Sequence, residues 1–452
     1  MIYHACPKQF RNAILALLSF IFYSLGEQAF LPWFVLSITI NFFIGIAIDR
    51  SRIAARRRAY LAVGVASDLG LLVVFKYAGF LISAISPTWK VPELALPLGI
   101  SFFTFHKISY KVDVYRRDCA AKSSPVDLAL YLLFFPQLIA GPIVRFKEMA
   151  HDLVARVESA ALFQAGIRRF AIGLSKKMLI ANPLGQVVGR IFYDHGTQPG
   201  ALPPETAWLG ILCYTGQIYF DFSGYSDMAI GMARMFGFVF PENFDHPYIS
   251  RSVTEFWQRW HMSLSRWFRD YVYIPLGGNR LSPARTYLNL CIVFLLCGLW
   301  HGAAGRFLAW GAMHGMLLAL ERAGVGGALV RLPRPIGHGY TLLAVMVTWV
   351  FFRADSFASG VLYLQSMFLL HGPPDRGTFG WGSYWSNPLG LLIGAAILFS
   401  IPVHGWLVSR PGMVYRSWAS QGAYAALLSA GFVMSLALVA GNSYNPFIYF
   451  RF

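Results

Sequence analysis

Two histidines lie where an imidazole could do chemistry. His301 lies in CGLWHGAAG, between the apolar runs LNLCIVFLLCGLW and FLAWGAMHGMLLAL, and His261 lies in the aromatic stretch EFWQRWHMSLSRWF. An imidazole at hydrocarbon depth costs free energy unless it has a partner or faces water. A neutral imidazole can activate a hydroxyl for attack on a thioester without a metal, if a nearby donor stabilises the oxyanion. The alternative is a structural histidine, and spacing alone leaves both open.

Other catalytic and metal-binding patterns are weak or absent in this sequence. It has no HExxH motif, no CxxC pair among its five cysteines, no Walker A motif and no convincing GxGxxG motif, and Ser223 has no nucleophile-elbow context. We therefore predict no metal site.

His371 and Asp375 match an HxxxD pattern, but two prolines place it in a surface loop. His314 lies 13 residues after His301, which is about 20 Å along one helix axis, and we predict a packed, hydrogen-bonded structural histidine.

The composition is that of an integral membrane protein. Of 452 residues, 56% are hydrophobic and 13% are charged, and the mean hydropathy is +0.51. The net charge of +17 is concentrated in short connectors such as 49–58, which favours cytoplasmic loops and excludes nucleic acid as a partner. We predict ten to twelve membrane helices, some tilted or half-penetrating. They are expected near 12–26, 31–48, 60–84, 97–112, 126–143, 205–219, 286–300, 305–320, 339–354, 388–406 and 421–440.

The region from about 150 to 285 mixes apolar, charged and aromatic residues, so we predict interfacial or re-entrant helices around a cavity. Within it, 252–273 has aromatic residues at three- and four-residue steps and predicts one amphipathic helix. Ser252 and Glu255 have the spacing of a capping box at its start. The apolar run after Lys8 and Arg11 predicts an uncleaved signal-anchor.

Five blocks resemble the membrane-bound O-acyltransferase family, in the branch that contains the membrane subunit of alginate O-acetyltransferases. They are the segment 219–280, which includes YFDFSGYSDMA and EFWQRWHMSLSRWFRDYVY, then PLGISFFTFHKISYKVDVYRRD from Pro97, FFPQLIAGPIVRF from Phe134, GLWHGAAGRFLAWGAMHG from Gly298, and NPFIYFRF from Asn445. The blocks follow the family's order across nearly the whole chain, and the most specific regions are 97–146 and 219–322.

The resemblance implies one all-α polytopic domain over 1–452, with a ring of membrane helices around a central tunnel. It implies that His301 is the catalytic histidine, facing a solvated passage, and that His261 is the second histidine of this branch, orienting or polarising the acyl donor. Possible substrate-lining residues are Tyr219, Asp221, Ser223, Arg259 and Trp260.

The implied activity is the transfer of an acetyl group across the bacterial inner membrane. The donor is expected to be acetyl-CoA, used as a substrate with no bound cofactor. The acceptor is expected to be an exopolysaccharide such as alginate or cellulose, reached through a periplasmic acetyltransferase partner. The same fold also allows D-alanyl, lipid or protein acyl transfer. A transporter that uses the histidines as a proton relay is the remaining alternative.

Overall fold

The computed structural model describes residues 2–86, 88–89, 94–198, 200–370, 374–402 and 418–441. These residues form helices, turns and loops, and they contain no β-strand. The chain divides into two compact units, Met1–Ile167 with Ala229–Glu242 and Arg168–Met228 with Asn243–Phe452. Each unit is described by itself below. The predicted single domain stays a prediction. His371, residues 403–406 and the block from Asn445 lie outside the described residues.

The first unit begins with ten helices. They are α1 Ile2–Ala5, α2 Arg11–Gly26, α3 Leu31–Arg50, α4 Ala54–Leu72, α5 Ala78–Ile85, α6 Ile100–Arg116, α7 Pro125–Leu133, α8 Phe135–Leu138, α9 Phe146–Met149 and α10 Asp152–Ala155. A π-helical turn, Val73–Tyr77, joins α4 to α5. Two further helices, α11 Ala160–Ser175 and α13 Pro204–Met235, contribute residues to both units.

The second unit contains the remaining helices of the described chain. They are α12 Asn182–Thr197, α14 Val253–Arg259, α15 Met262–Phe268, α16 Pro283–His301, α17 Gly305–Leu320, α18 Gly326–Arg331, α19 Arg334–Arg353, α20 Phe357–Met367, α21 Arg376–Phe379, α22 Asn387–Ser400 and α23 Trp418–Gly441. π-Helical turns cover Lys176–Ala181, Arg269–Tyr273 and Glu321–Val325.

Several helices have the length and apolar composition of a membrane span, so the all-α polytopic prediction is confirmed. Among the described residues, five meet both criteria: Leu31–Arg50, Ala54–Ile85, Pro283–His301, Arg334–Arg353 and Gln421–Gly441. The shorter apolar helix Asn387–Ser400 falls below the length criterion. The total of ten to twelve spans and the ring around a tunnel stay predictions.

One predicted span is wrong. The apolar run 126–143 does not form a single helix, because α7 ends at Leu133 and the chain turns at Phe134 before the four-residue helix α8. Pro136 is part of the reason, since it has no backbone N–H to continue the hydrogen bonding of α7 and is tolerated in the first turn of a new helix, where it lies in α8. The run at 205–219, in contrast, lies within a longer helix, α13.

A buried ionic network ties together α3, α4 and α6 in the first unit. The Nζ atom of Lys111 donates hydrogen bonds to Asn41 Oδ1 (2.6 Å), to the Gly64 carbonyl oxygen (2.7 Å) and to Asp68. The Nζ atom of Lys107 donates to Ser37 Oγ at 2.7 Å and lies 3.5 Å from Asp68 Oδ1. An ammonium group has three donors, and Lys111 uses all of them. We interpret this network as scaffold, because Lys111 and Asp68 form an ion pair within it and every donor of the Lys111 ammonium group has a partner.

In the second unit, α16 and α17 form an antiparallel pair in very close contact. A Cβ atom on Gly298 would lie 2.3 Å from the Phe307 carbonyl oxygen, and one on Gly311 would lie 2.3 Å from the Phe294 carbonyl oxygen. Only glycine permits this approach of two backbones, which is a common packing mode for helices in membranes. The chain reverses at residues 302–304, so the end of α16 lies beside the start of α17.

Candidate active site

His301 is the last residue of α16, and it lies at the turn of the α16–α17 pair. Its imidazole is surrounded by aromatic rings from three positions. The ring centroids lie 4.8 Å from Trp300, 5.0 Å from Trp310 and 5.0 Å from Phe352, all with edge-to-face geometry. Aromatic pairs of this kind contribute about 0.5–1.5 kcal/mol each beyond their buried area. The enclosure therefore holds the catalytic candidate in a defined orientation.

The same enclosure limits access to His301, whose exposed fraction is 4%. The family resemblance implies an imidazole that faces a solvated passage, and aromatic side chains contact the observed ring. The passage stays a prediction. For a substrate to reach the imidazole in this arrangement, some of the surrounding side chains have to move.

His261 lies at a break between two short helices, so the prediction of one amphipathic helix over 252–273 is wrong. The helix α14 ends at Arg259, α15 begins at Met262, and His261 between them has φ 45° and ψ 51°. This left-handed conformation costs roughly 1–2 kcal/mol for a residue with a Cβ atom. The predicted helix start is confirmed, because the Ser252 side chain accepts a hydrogen bond from the Glu255 amide.

The Asn243 side chain holds His261 and the start of α15 in place. Its Oδ1 atom lies 3.1 Å from His261 Nδ1, and it accepts hydrogen bonds from Ser263 N (3.2 Å) and Ser263 Oγ (2.8 Å). Its Nδ2 atom donates to Ser226 Oγ at 3.0 Å, and its backbone oxygen accepts from Met262 N at 3.0 Å. These contacts compensate for the left-handed backbone at His261.

The second ring nitrogen of His261 is buried, and it has no hydrogen-bond partner among the described residues. Burial lowers the pKa of His261 to about 3, so the ring is neutral at physiological pH. Its ring centroid lies 4.7 Å from Phe222 and 6.0 Å from Trp300. Because Trp300 also contacts His301, a single indole lies beside both histidines.

His314 is a buried structural histidine, as predicted. The Trp257 Nε1 atom donates to His314 Nδ1 at 3.2 Å, and His314 Nε2 lies 3.0 Å from Thr348 Oγ1. The predicted separation from His301 is wrong, because the rings of His301 and His314 lie 5.0 and 4.9 Å from the ring of Trp310. The estimate assumed one helix axis, and the chain reverses between the two residues.

Tyr219 and Trp260 belong to one buried aromatic cluster in the second unit. Their ring centroids lie 6.3 Å apart, and Trp260 also lies 5.1 Å from Trp349. The Trp349 ring in turn lies 5.4 Å from Phe352, which contacts His301. The cluster is therefore continuous with the wall around His301.

The other three predicted lining residues are in different surroundings. Asp221 is buried and forms an ion pair with Lys177 at 2.6 Å. Arg259 forms ion pairs with Glu255 and Asp245. Ser223 is buried on α13, and its hydroxyl has no partner within the described part of the chain.

The comparison with known families decides the class of protein. The model of MBOAT, the membrane-bound O-acyltransferase family, matches residues 102–351. The chain belongs to this family. It is therefore an acyltransferase and an integral, multi-pass membrane protein. The matched range includes both histidines, Trp300 and Trp310, and it ends one residue before Phe352.

Three relatives of this O-acyltransferase act on glycans according to their names. "Probable alginate O-acetylase AlgI" of Pseudomonas aeruginosa is 42% identical over 376 residues, which cover 81% of this chain and 71% of that protein. The protein of the same name from Pseudomonas putida is 37% identical over 478 residues, covering 100% and 96%. A "Peptidoglycan O-acetyltransferase" of Helicobacter pylori is 33% identical over 487 residues, covering 97% and 91%.

The structure adds two residues to this O-acyltransferase site that the sequence did not indicate. Asn243 holds His261, although the two are 18 positions apart and do not lie on one helix. Trp310 lies beside His301, and its Nε1 atom is a buried donor without a partner among the described residues. A buried donor next to the candidate base His301 is itself a candidate for stabilising an oxyanion. Among the residues described, no group of three or more His, Cys, Asp or Glu could hold a metal ion.

Proposed function

We propose that this chain O-acetylates a polysaccharide outside the cytoplasm, with His301 as the general base. The donor is acetyl-CoA on the cytoplasmic side of the bacterial inner membrane. The acetyl group is passed to an exopolysaccharide such as alginate, through a periplasmic acetyltransferase partner. The names of the relatives support a glycan acceptor, since both alginate and peptidoglycan are polysaccharides.

The observation that carries the proposal is the position of His301 at the end of α16, in an aromatic enclosure whose Trp300 also lies beside His261. Two imidazoles beside one indole provide a proton acceptor in a largely buried region of the protein. General-base catalysis by a positioned imidazole contributes about 10²–10⁴-fold to a rate.

The chemistry balances without a metal or a redox partner. The His301 imidazole takes the proton of the acceptor hydroxyl while the hydroxyl oxygen attacks the thioester carbonyl carbon. The tetrahedral intermediate carries a negative oxygen, which the Trp310 Nε1–H group is suited to stabilise. When the intermediate collapses, the carbon–sulfur bond breaks, and the thiolate of CoA receives the proton from the imidazolium. The products are an O-acetyl ester and free CoA.

The test is the substitution His301→Ala in a bacterium that lacks its own copy of the gene. We expect the O-acetyl content of the secreted polysaccharide to fall at least about 100-fold, because the proton acceptor is removed. The O-acetyl groups are measured by NMR of the purified polymer. The control is His151→Ala, whose side chain is 79% exposed and which should retain acetylation.

Protein levels and membrane insertion are compared for both variants, so that a loss of protein is not mistaken for a loss of chemistry. Retained acetylation in a well-expressed His301→Ala variant would contradict the assignment. The donor and acceptor are tested by release of free CoA from acetyl-CoA, with the purified protein and its periplasmic acetyltransferase partner together and with alginate oligosaccharides and peptidoglycan fragments compared as acceptors.

A further inference from the structure

The neighbours of Asn243 determine which atom of its side-chain amide is the oxygen and which is the nitrogen. Its Oδ1 atom lies 3.2 Å from the backbone nitrogen of Ser263, and a backbone N–H can only donate. The side-chain atom that faces this N–H group must therefore be the oxygen. The opposite orientation would place the Nδ2 donor against a backbone donor in a site that is 0% exposed.

The orientation of Asn243 decides which nitrogen of His261 carries the proton. His261 Nδ1 lies 3.1 Å from the same Oδ1 atom, and an amide oxygen only accepts. Nδ1 must therefore be protonated, and in the neutral ring Nε2 then has a lone pair and no hydrogen. Nε2 is the buried nitrogen that has no hydrogen-bond partner among the described residues.

We propose that Asn243 is a positioning residue that holds His261 as the Nδ1–H tautomer, so that the Nε2 lone pair accepts a hydrogen bond from the substrate. This inference rests on the proposed function, because it places the substrate beside His261. It changes the role expected for His261, since a neutral ring with Nδ1–H has no Nε2–H donor to polarise a thioester carbonyl. The substrate group that binds there is a hydrogen-bond donor, either a glycan hydroxyl or an amide N–H of the pantetheine arm.

The first experiment reads the tautomer without requiring activity. Solid-state ¹⁵N NMR is recorded on histidine-labelled protein in lipid bilayers, and the His261 signals are assigned by their loss in the His261→Asn variant. We expect a protonated Nδ1 and an unprotonated Nε2 in the wild-type protein. A protonated Nε2 in the neutral ring would overturn the proposal, whatever the activity of the protein.

The second experiment removes the acceptor oxygen with Asn243→Leu and retains it with Asn243→Asp. We expect Asn243→Leu to lose the Nδ1–H preference and to lower kcat/KM for CoA release about 10–100-fold, as is typical when a positioning partner is removed. Asn243→Asp keeps the oxygen that accepts from Nδ1–H and from Ser263, so it should keep the tautomer and recover most of the activity. The assays use acetyl-CoA with alginate oligosaccharides, and the substrate whose KM rises identifies the group that donates to Nε2.

The matched control is Asn289→Leu, which removes another fully buried asparagine of the same unit. The Asn289 Nδ2 atom donates to the backbone oxygens of Leu276 and Gly278, away from His261. We expect a loss of stability with an unchanged His261 tautomer. The proposal is overturned if Asn243→Leu leaves the tautomer unchanged, or if it lowers kcat/KM no more than Asn289→Leu does.

If Asn243→Leu does not fold, the wild-type tautomer and the Asn243→Asp variant still decide the question. Failure of the proposed function would look different: His301→Ala would retain acetylation while the tautomer of His261 remained as described. The two proposals can therefore fail separately.

Discussion

The regions around His314 and His261 contain the same kind of side chain, equally buried, in opposite hydrogen-bonding states. Both residues are 0% exposed. His314 uses both nitrogens: its Nδ1 atom accepts from Trp257, and its Nε2 atom faces Thr348, whose hydroxyl donates onward to the Val345 carbonyl oxygen. His261 uses only Nδ1, toward Asn243. The two rings therefore hold opposite tautomers, with the proton on Nε2 in His314 and on Nδ1 in His261.

The difference shows how to separate scaffold from site in a membrane protein with many buried polar groups. Buried polar atoms are nearly always paired, and an unpaired one needs an explanation. Both ring nitrogens of His314 already have hydrogen-bond partners, so a substrate could bind to this ring only by displacing one of them. At His261 one acceptor stays open, and a substrate can fill it. The ionic network of Lys111, Asn41 and Asp68 in the first unit belongs to the closed type.

The largest effect is expected from His261→Asn. Asparagine tolerates the left-handed backbone at this position, so the fold should be retained while the open acceptor is lost. We expect kcat/KM for CoA release to fall about 100-fold, because a donor on the substrate is left without its acceptor in a buried site. The matched control is His246→Asn, since His246 also has φ 45° and its Nδ1 atom lies near a backbone oxygen. The His246→Asn variant should keep its activity within about threefold. Equal losses of activity in the two variants would contradict the assignment of His261, but not His246, to the substrate site.

A smaller effect is expected from Gly298→Ala, which acts on the contact between α16 and α17. The new Cβ atom would lie 2.3 Å from the Phe307 carbonyl oxygen, so the helices must move apart and His301 must shift relative to Trp310. We expect kcat/KM to fall about 10–100-fold, because a displacement near 1 Å can cost that much. Gly305→Ala is the control, since its Cβ atom would meet nothing within 4 Å. Similar activity of both variants would show that the close packing is not needed for catalysis.

The smallest effect on activity is expected from His314→Gln. Glutamine cannot satisfy both Trp257 and Thr348 with the geometry of an imidazole, so one buried group loses its partner. The free energy of unfolding should fall by about 1–3 kcal/mol, measured by thermal unfolding in detergent. The activity of the remaining folded protein should stay within about threefold. Abolished activity at unchanged stability would place His314 in the site and contradict its interpretation as scaffold.

Much of the helical architecture could be predicted because membrane helices carry their own signal. The apolar runs at 31–48, 286–300 and 305–320 correspond to α3, α16 and α17, whose backbone groups must be satisfied within each helix. The run at 126–143 was misread because hydropathy does not register the turn at Phe134. The aromatic period over 252–273 predicted one helix, but the period continues across a break at His261 that depends on a side chain from outside the segment.

The sequence by itself determined the class of protein, its helical character and the two histidines of interest, because composition, hydropathy and motif blocks are local properties. The tertiary structure alone decided that Trp300 lies beside both rings and that His301 and His314 contact one indole. It also decided that Asn243 selects the proton position on His261. Each of these arrangements includes a contact between separate elements, such as Trp310 with His301 or Asn243 with His261, and it exists only once the chain has reversed direction and packed. The chemistry of an imidazole depends on what meets its two nitrogens, and packing determines those partners.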